Sequence, residues 1–154
     1  MRILTNALIA GALLLAGCQA NQIDQATTRA IDPAAATDIS AADLKAGKEQ
    51  FLEANYGLSE KRFRKAVELR SDNAEAWLGL AASYDQLGRY DFAERAYQQL
   101  FKIAGRKPQI VSNYGYSQML RGNKKEAKKL LQEAAKAMPD NARIKANQKL
   151  LSSI

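Results

Sequence analysis

Histidine is absent from this chain, and cysteine and tryptophan occur once each. The first absence removes Ser-His-Asp and Cys-His catalysis together with every imidazole metal site. A lone cysteine makes neither an internal disulfide nor a thiolate zinc site. Proline is scarce at three residues, and aromatic side chains amount to 7% of the chain. What is plentiful is alanine and leucine, and few prolines among many good helix formers predict an all-α fold. Apolar residues reach 47% of 154, which supplies a core and excludes wholesale disorder, and the length suits one folded domain.

The start of the chain reads as an address. Met1-Arg2 is a short basic opening, and Ile3 to Ala16 carries no charge. That run is shorter than the roughly 20 residues a spanning helix needs and suits a secretory apolar region. It ends in Leu15-Ala16-Gly17-Cys18, which resembles the lipobox of bacterial lipoproteins. The resemblance implies a signal peptide over 1–17 and a lipid, palmitate included, on Cys18. Each buried methylene contributes about 0.8 kcal/mol, so two or more acyl chains give a stable anchor. The alternative is an ordinary signal peptide with an incidental cysteine, or a buried structural thiol. Gln19 after the cysteine resembles outer-membrane sorting in enteric bacteria. Residues 18–39, rich in Ala, Gln, Thr and Asp with Pro33, lack a sustained apolar period and read as a flexible tether.

From residue 40 the chain matches itself at a spacing of 34, the period of helix-turn-helix tetratricopeptide repeats. Residues 74–107 carry the pattern most fully: Trp77, Leu80, Ala81 and Tyr84 on the first helix, Gly88 at the turn, Ala93 and Tyr97 on the second. In residues 108–141 the register gives Gly115, Gly122, Ala127, Leu131 and Pro139, and in residues 40–73 it gives Gly47, Tyr56, Phe63 and Ala66. Here Asp43 stands where the tryptophan belongs and Ala54 where the turn glycine belongs. Small residues at Gly47, Ala81 and Gly115 let helix backbones approach, and Phe63, Tyr97 and Leu131 fill the space between hairpins. Ser40 with Asp43 reads as the first N-cap. Residues 142–154 supply a capping helix with Ile144, Leu150 and Leu151. The expected architecture is an all-α, right-handed solenoid of three repeats spanning 40–141 plus that cap.

No Gly-rich phosphate loop, metal-ligand spacing or nucleophile elbow is present, so no enzyme activity, cofactor or metal is expected. Asp85, Asp91 and Glu94, near basic neighbours on helical faces, read as solvated ion pairs. On the geometry of such repeats the inward positions give Lys48, Leu78, Ala82, Asp85, Asn113, Tyr116, Met119 and, from the cap, Asn147. Asn113 and Asn147 share a phase, and an amide that both donates and accepts suits a peptide backbone. The set lacks the cations that clamp a C-terminal carboxylate, so a partly apolar peptide or helix fits better than an acidic tail. Tyr116 and Met119 are equally read as plain packing inside a tight stack.

Charge is uneven. Residues 102–154 hold 12 Lys+Arg against 3 Asp+Glu, whereas residues 18–101 hold 10 against 13. Lys124, Lys125, Lys128, Lys129 and Lys136 avoid the Ala127/Leu131/Ala134 face and lie outward, either as a solvated face or as a basic surface for an acidic partner. A lipidated, exported protein does not routinely meet nucleic acid.

The segments Ala74–Tyr84 and Asn113–Asn123 resemble the lipoproteins of tight-adherence (Tad/Flp) pilus loci, the TadD-like group, and the likeness runs over residues 40–147 plus the lipobox. It implies an outer-membrane lipoprotein facing the periplasm that supports assembly of the pilus secretin. Only Cys18 carries over as a functional residue. Two other readings stand beside it: a general envelope adaptor that recruits a peptidoglycan enzyme or assists outer-membrane assembly, and a binder of an anionic envelope polymer through the basic face.

Overall fold

The computed structural model describes residues 38–154, and Cys18, the signal segment and most of the tether lie outside them. Seven helices follow one another: α1 (Ala41–Leu52), α2 (Tyr56–Leu69), α3 (Ala74–Gln86), α4 (Tyr90–Ala104), α5 (Pro108–Leu120), α6 (Lys124–Ala137) and α7 (Ala142–Ser152). They pair as the hairpins α1/α2, α3/α4 and α5/α6, with α7 on the last. The odd-numbered helices neighbour one another in sequence and form one layer, while α2, α4 and α6 back them. No helix among the described residues is long and apolar enough to cross a membrane.

The three hairpin turns share one geometry. In each, the amide three residues past the last helical residue reaches back to close a wide turn: Asn55 N–H to Gln50 O, Arg89 N–H to Tyr84 O, Asn123 N–H to Gln118 O. The preceding residue donates to a carbonyl three back and takes positive φ, at Ala54 (+60°), Gly88 (+69°) and Gly122 (+89°). This is the Schellman ending, which satisfies the last orphan carbonyls of a helix and favours glycine. Ala54 therefore holds a left-handed conformation that its Cβ disfavours by roughly 1–2 kcal/mol. Ala54→Gly is expected to raise stability by about 0.5–1 kcal/mol, after the greater freedom of glycine in the unfolded chain is subtracted. Gly88→Ala, whose added Cβ would meet nothing within 4 Å, is expected to lower it by about 1 kcal/mol through backbone strain alone. Urea unfolding of the two variants tests both signs.

Helix starts are specified in several ways. The Asn73 side chain accepts from Ala76 N–H, Asn141 accepts from Arg143 and Ile144 N–H, and Pro108 opens α5. The expected Ser40/Asp43 cap does not form. Ser40 Oγ instead donates to Asp38 Oδ1 at 2.7 Å and accepts from Asn73 Nδ2 at 2.9 Å, joining the start of α1 to that of α3. Asp43, buried, is held by Arg62 and Lys65 of α2, which explains a carboxylate at the tryptophan position.

The size alternation expected from the repeat is present at close range. A Cβ added at Gly47 would lie 2.8 Å from Phe63 Cδ1, and one at Gly115 would lie 3.0 Å from Leu131 Cγ. Ala81 and Tyr97 are likewise buried. Phe63, Leu80, Tyr97 and Leu100 form the core of the first two hairpins, and Val111, Leu130, Ala134 and Ile144 continue it under the cap.

Candidate functional site

The layer of odd-numbered helices borders a groove of about 630 Å³. Six of the inward residues read from the sequence line it: Lys48 from α1, Leu78, Ala82 and Asp85 from α3, Asn113 and Tyr116 from α5. Two do not. Met119 is buried at 5% exposure off the groove, in line with its packing reading. Asn147 donates through Nδ2 to Ser112 Oγ at 3.1 Å, so its amide ties α7 to α5 and does not pair with Asn113 across the groove. Asn113 makes no side-chain hydrogen bond among the described residues and borders both the groove and a smaller cavity of about 310 Å³ toward α7.

Residues outside the predicted set complete the walls. Phe63 and Tyr97, on the backing helices, reach the groove beside Gly79 and Asp85. Their access follows from small residues in the front layer, a signal that the sequence carries in its glycine and alanine positions. Glu75 pairs with Lys48 at 2.5 Å on one wall. Arg143, at the second residue of α7, lines the groove at the other end. The walls are thus largely apolar, with a few polar groups at fixed points, the usual make-up of a site for an organic ligand or peptide segment.

Asp85 departs most from its sequence reading. It is not a solvated ion pair: only 4% of it is exposed, and it has no cationic partner among the described residues. Ser117 Oγ donates to Oδ1 at 2.6 Å and Tyr97 OH donates to Oδ2 at 3.1 Å. Burial pushes its carboxyl up to about 6 despite those two hydrogen bonds, and the charge of Glu94 adds in the same direction. Tyr97 is pushed well above the ordinary phenol range, first by its own burial and then by Asp85. Glu94 makes no ion pair among the described residues either. It accepts from Tyr114 OH at 2.7 Å, Gln118 Nε2 at 3.0 Å and Gln98 Nε2 at 2.9 Å, clamping α4 to α5. Asp91 alone behaves as read, exposed and paired with Arg121 at 2.7 Å.

All five lysines of the basic face are exposed. Lys129 lies 3.6 Å from Glu126, and the Lys124 ammonium donates to the Ile154 carbonyl. Glu133 on the same helix is engaged by Arg106 of the α4–α5 loop at 2.8 Å. Lys125, Lys128 and Lys136 make no ion pair among the described residues.

Comparison with known proteins agrees with this architecture. A family model described as tetratricopeptide repeat matches residues 50–112. The cytochrome c-type biogenesis protein CycH of Pseudomonas aeruginosa is 28% identical over 95 residues, covering 58% of this chain and 23% of CycH. The chain thus spans about a quarter of that relative's length. Among solved structures, PilF of Pseudomonas aeruginosa superposes with a TM-score of 0.63 at 23% identity, over 73% of this chain and 52% of PilF. The Yersinia enterocolitica type III secretion chaperone SycD, in complex with a peptide of the translocator YopD, superposes with a TM-score of 0.64 at 20% identity, over 76% of this chain and 89% of SycD. These structural likenesses are likenesses of fold.

Proposed function

We propose that this tetratricopeptide-repeat chain is a lipid-anchored, non-enzymatic scaffold that holds a segment of a protein partner in its inner groove. The observation that carries the reading is the groove itself, an apolar concavity whose polar groups, Asn113 and Asp85, sit at fixed points of rigid helices. A chaperone of the same fold has been solved with a peptide of its translocator, which supports a peptide segment as the class of ligand. The Leu15-Ala16-Gly17-Cys18 sequence supports anchoring through Cys18, on the periplasmic face of the outer membrane. Resemblance to the TadD-like group supports a role in assembling the secretin of a tight-adherence pilus.

The test is fractionation joined to crosslinking in intact cells. Cys18→Ser is expected to leave the repeats folded and to move most of the protein from the membrane fraction to the soluble one, because the acyl chains supply nearly all the membrane affinity. Retention in membranes after a salt wash would overturn the anchor. Ala82→Trp places an indole in the groove from a half-buried position and is expected to cut crosslinked partner at least tenfold with an intact thermal transition. Unchanged capture would overturn the groove.

Lys125, Lys128 and Lys136, exposed and without an ion pair among the described residues, favour a second reading, binding of an anionic envelope polymer along α6. Such binding would survive Ala82→Trp and fall steeply with salt, since exposed charges are screened beyond about 8 Å at physiological ionic strength.

A further inference from the structure

Three carboxylates of the described residues are buried, and two of them are fully countered. Asp43 meets Arg62 and Lys65, and Glu60 meets Arg64 and Arg89. Asp85 is the third. Its two hydrogen-bond donors, Ser117 and Tyr97, are neutral, and it is the one of the three that lines the groove. A carboxylate offers about four acceptor positions, so two donors leave capacity for a third partner. Burying a charge without a counter-charge is unfavourable, and a side chain that brings the missing cation removes that penalty.

The surroundings fix the kind of cation. Lys48 is taken by Glu75, and neither Lys48 nor Arg143 comes within ion-pair distance of Asp85. Ala82, one turn before Asp85 on α3, keeps the approach small-walled, while Leu78 and Tyr116 offer apolar surface. Lysine and arginine carry their charge on a long apolar stem that lies well along such surface. Asn113, whose backbone carbonyl accepts from Tyr97 O–H at 3.3 Å while its side-chain amide makes no hydrogen bond among the described residues, offers a further acceptor on the same groove.

We propose that the groove selects an apolar peptide segment carrying one lysine or arginine, whose cationic end seats against Asp85. This rests on the groove reading above and names the chemistry of its occupant. Arg143 at the far end, free of acidic partners among the described residues, is the competing attraction, for an acidic segment.

The test uses the full-length chain immobilised against a randomised 12-residue peptide library. The expected result is enrichment of a single Lys or Arg within an apolar stretch, and loss of that enrichment on Asp85→Asn. The enriched peptide should bind at least tenfold more weakly when its basic residue becomes norleucine, and Asp85→Asn should abolish that difference while the thermal transition holds or rises. Peptides displaced by Ala82→Trp yet indifferent to Asp85→Asn would leave the groove standing and overturn the cation seat. Enrichment of acidic peptides, or of none, overturns it as well. A variant that loses thermal stability with the basic preference intact would make Asp85 a structural carboxylate only.

Discussion

Phe63→Ala is expected to lower the unfolding free energy by about 3–5 kcal/mol, the range for deleting a buried phenylalanine ring from a core that cannot collapse around the loss. The ring is 3% exposed and lies between two glycine backbones of the front layer. A Cβ at Gly47 would come within 2.8 Å of it, and one at Gly79 within 2.6 Å of Cε2. Both approaches are closer than real Cβ atoms make, so the ring and the two glycines are sized to each other and little side-chain volume is available to refill the space. A loss of that size is a large fraction of the 5–15 kcal/mol that holds an ordinary domain. Gly79→Ala alone should cost about 1–3 kcal/mol by overpacking. Combined, the two changes should not add, because the new methyl enters the space that the ring leaves. A double-mutant cycle in urea is expected to give a coupling of about 0.5–3 kcal/mol. Strict additivity would mean that the ring does not sit between those backbones.

The same contact marks how far the sequence is legible. Gly47 and Phe63 fall in the register of the repeat, so a period of 34 finds them without coordinates. Gly79 shares its phase with Lys45 and Asn113, and no periodic rule asks for a glycine there. Only the position of the Phe63 ring, reached through a neighbouring hairpin, explains it. Hairpin turns were readable because their geometry is local, down to the strain at Ala54. Groove residues were readable where the first helix alone decides their direction, as at Leu78, Ala82, Asn113 and Tyr116. Asn147 escaped because its partner Ser112 lies 35 residues away on another helix. Asp85 escaped for the same reason in sharper form. Its donors come from 12 and 32 residues along the chain, and an aspartate among charged neighbours looks solvated until those two helices are packed over it.

That isolated carboxylate carries the remaining large prediction. Its pKa lies near 6 in the folded chain against 3.8 for the free group, with burial as the leading cause. Between those values the folded chain binds more protons than the unfolded one, so folding is favoured by acid there. The contribution of Asp85 to stability is fully present below about pH 3.8 and is lost as the pH rises through about 6. A difference of about two units corresponds to roughly 3 kcal/mol, and asparagine at this position does not titrate. Asp38, held below the ordinary range first by the Ser40 hydroxyl and backbone N–H, loses its contribution as pH falls, the opposite sign. Subtraction cancels such terms. The stability of Asp85→Asn minus that of the unmodified chain is expected to rise by up to about 3 kcal/mol from pH 4 to pH 6.5 and to level off above it. Asparagine replaces one strong acceptor with a donor toward Ser117 or Tyr97, which lowers the whole curve by about 1–3 kcal/mol without changing its slope. Slope and offset are therefore separate readouts of charge burial and of hydrogen bonding. A difference that stays flat over the range would show that Asp85 is hydrated or countered. One that falls with pH would show a cation already in place, leaving nothing for a basic side chain of a partner to supply.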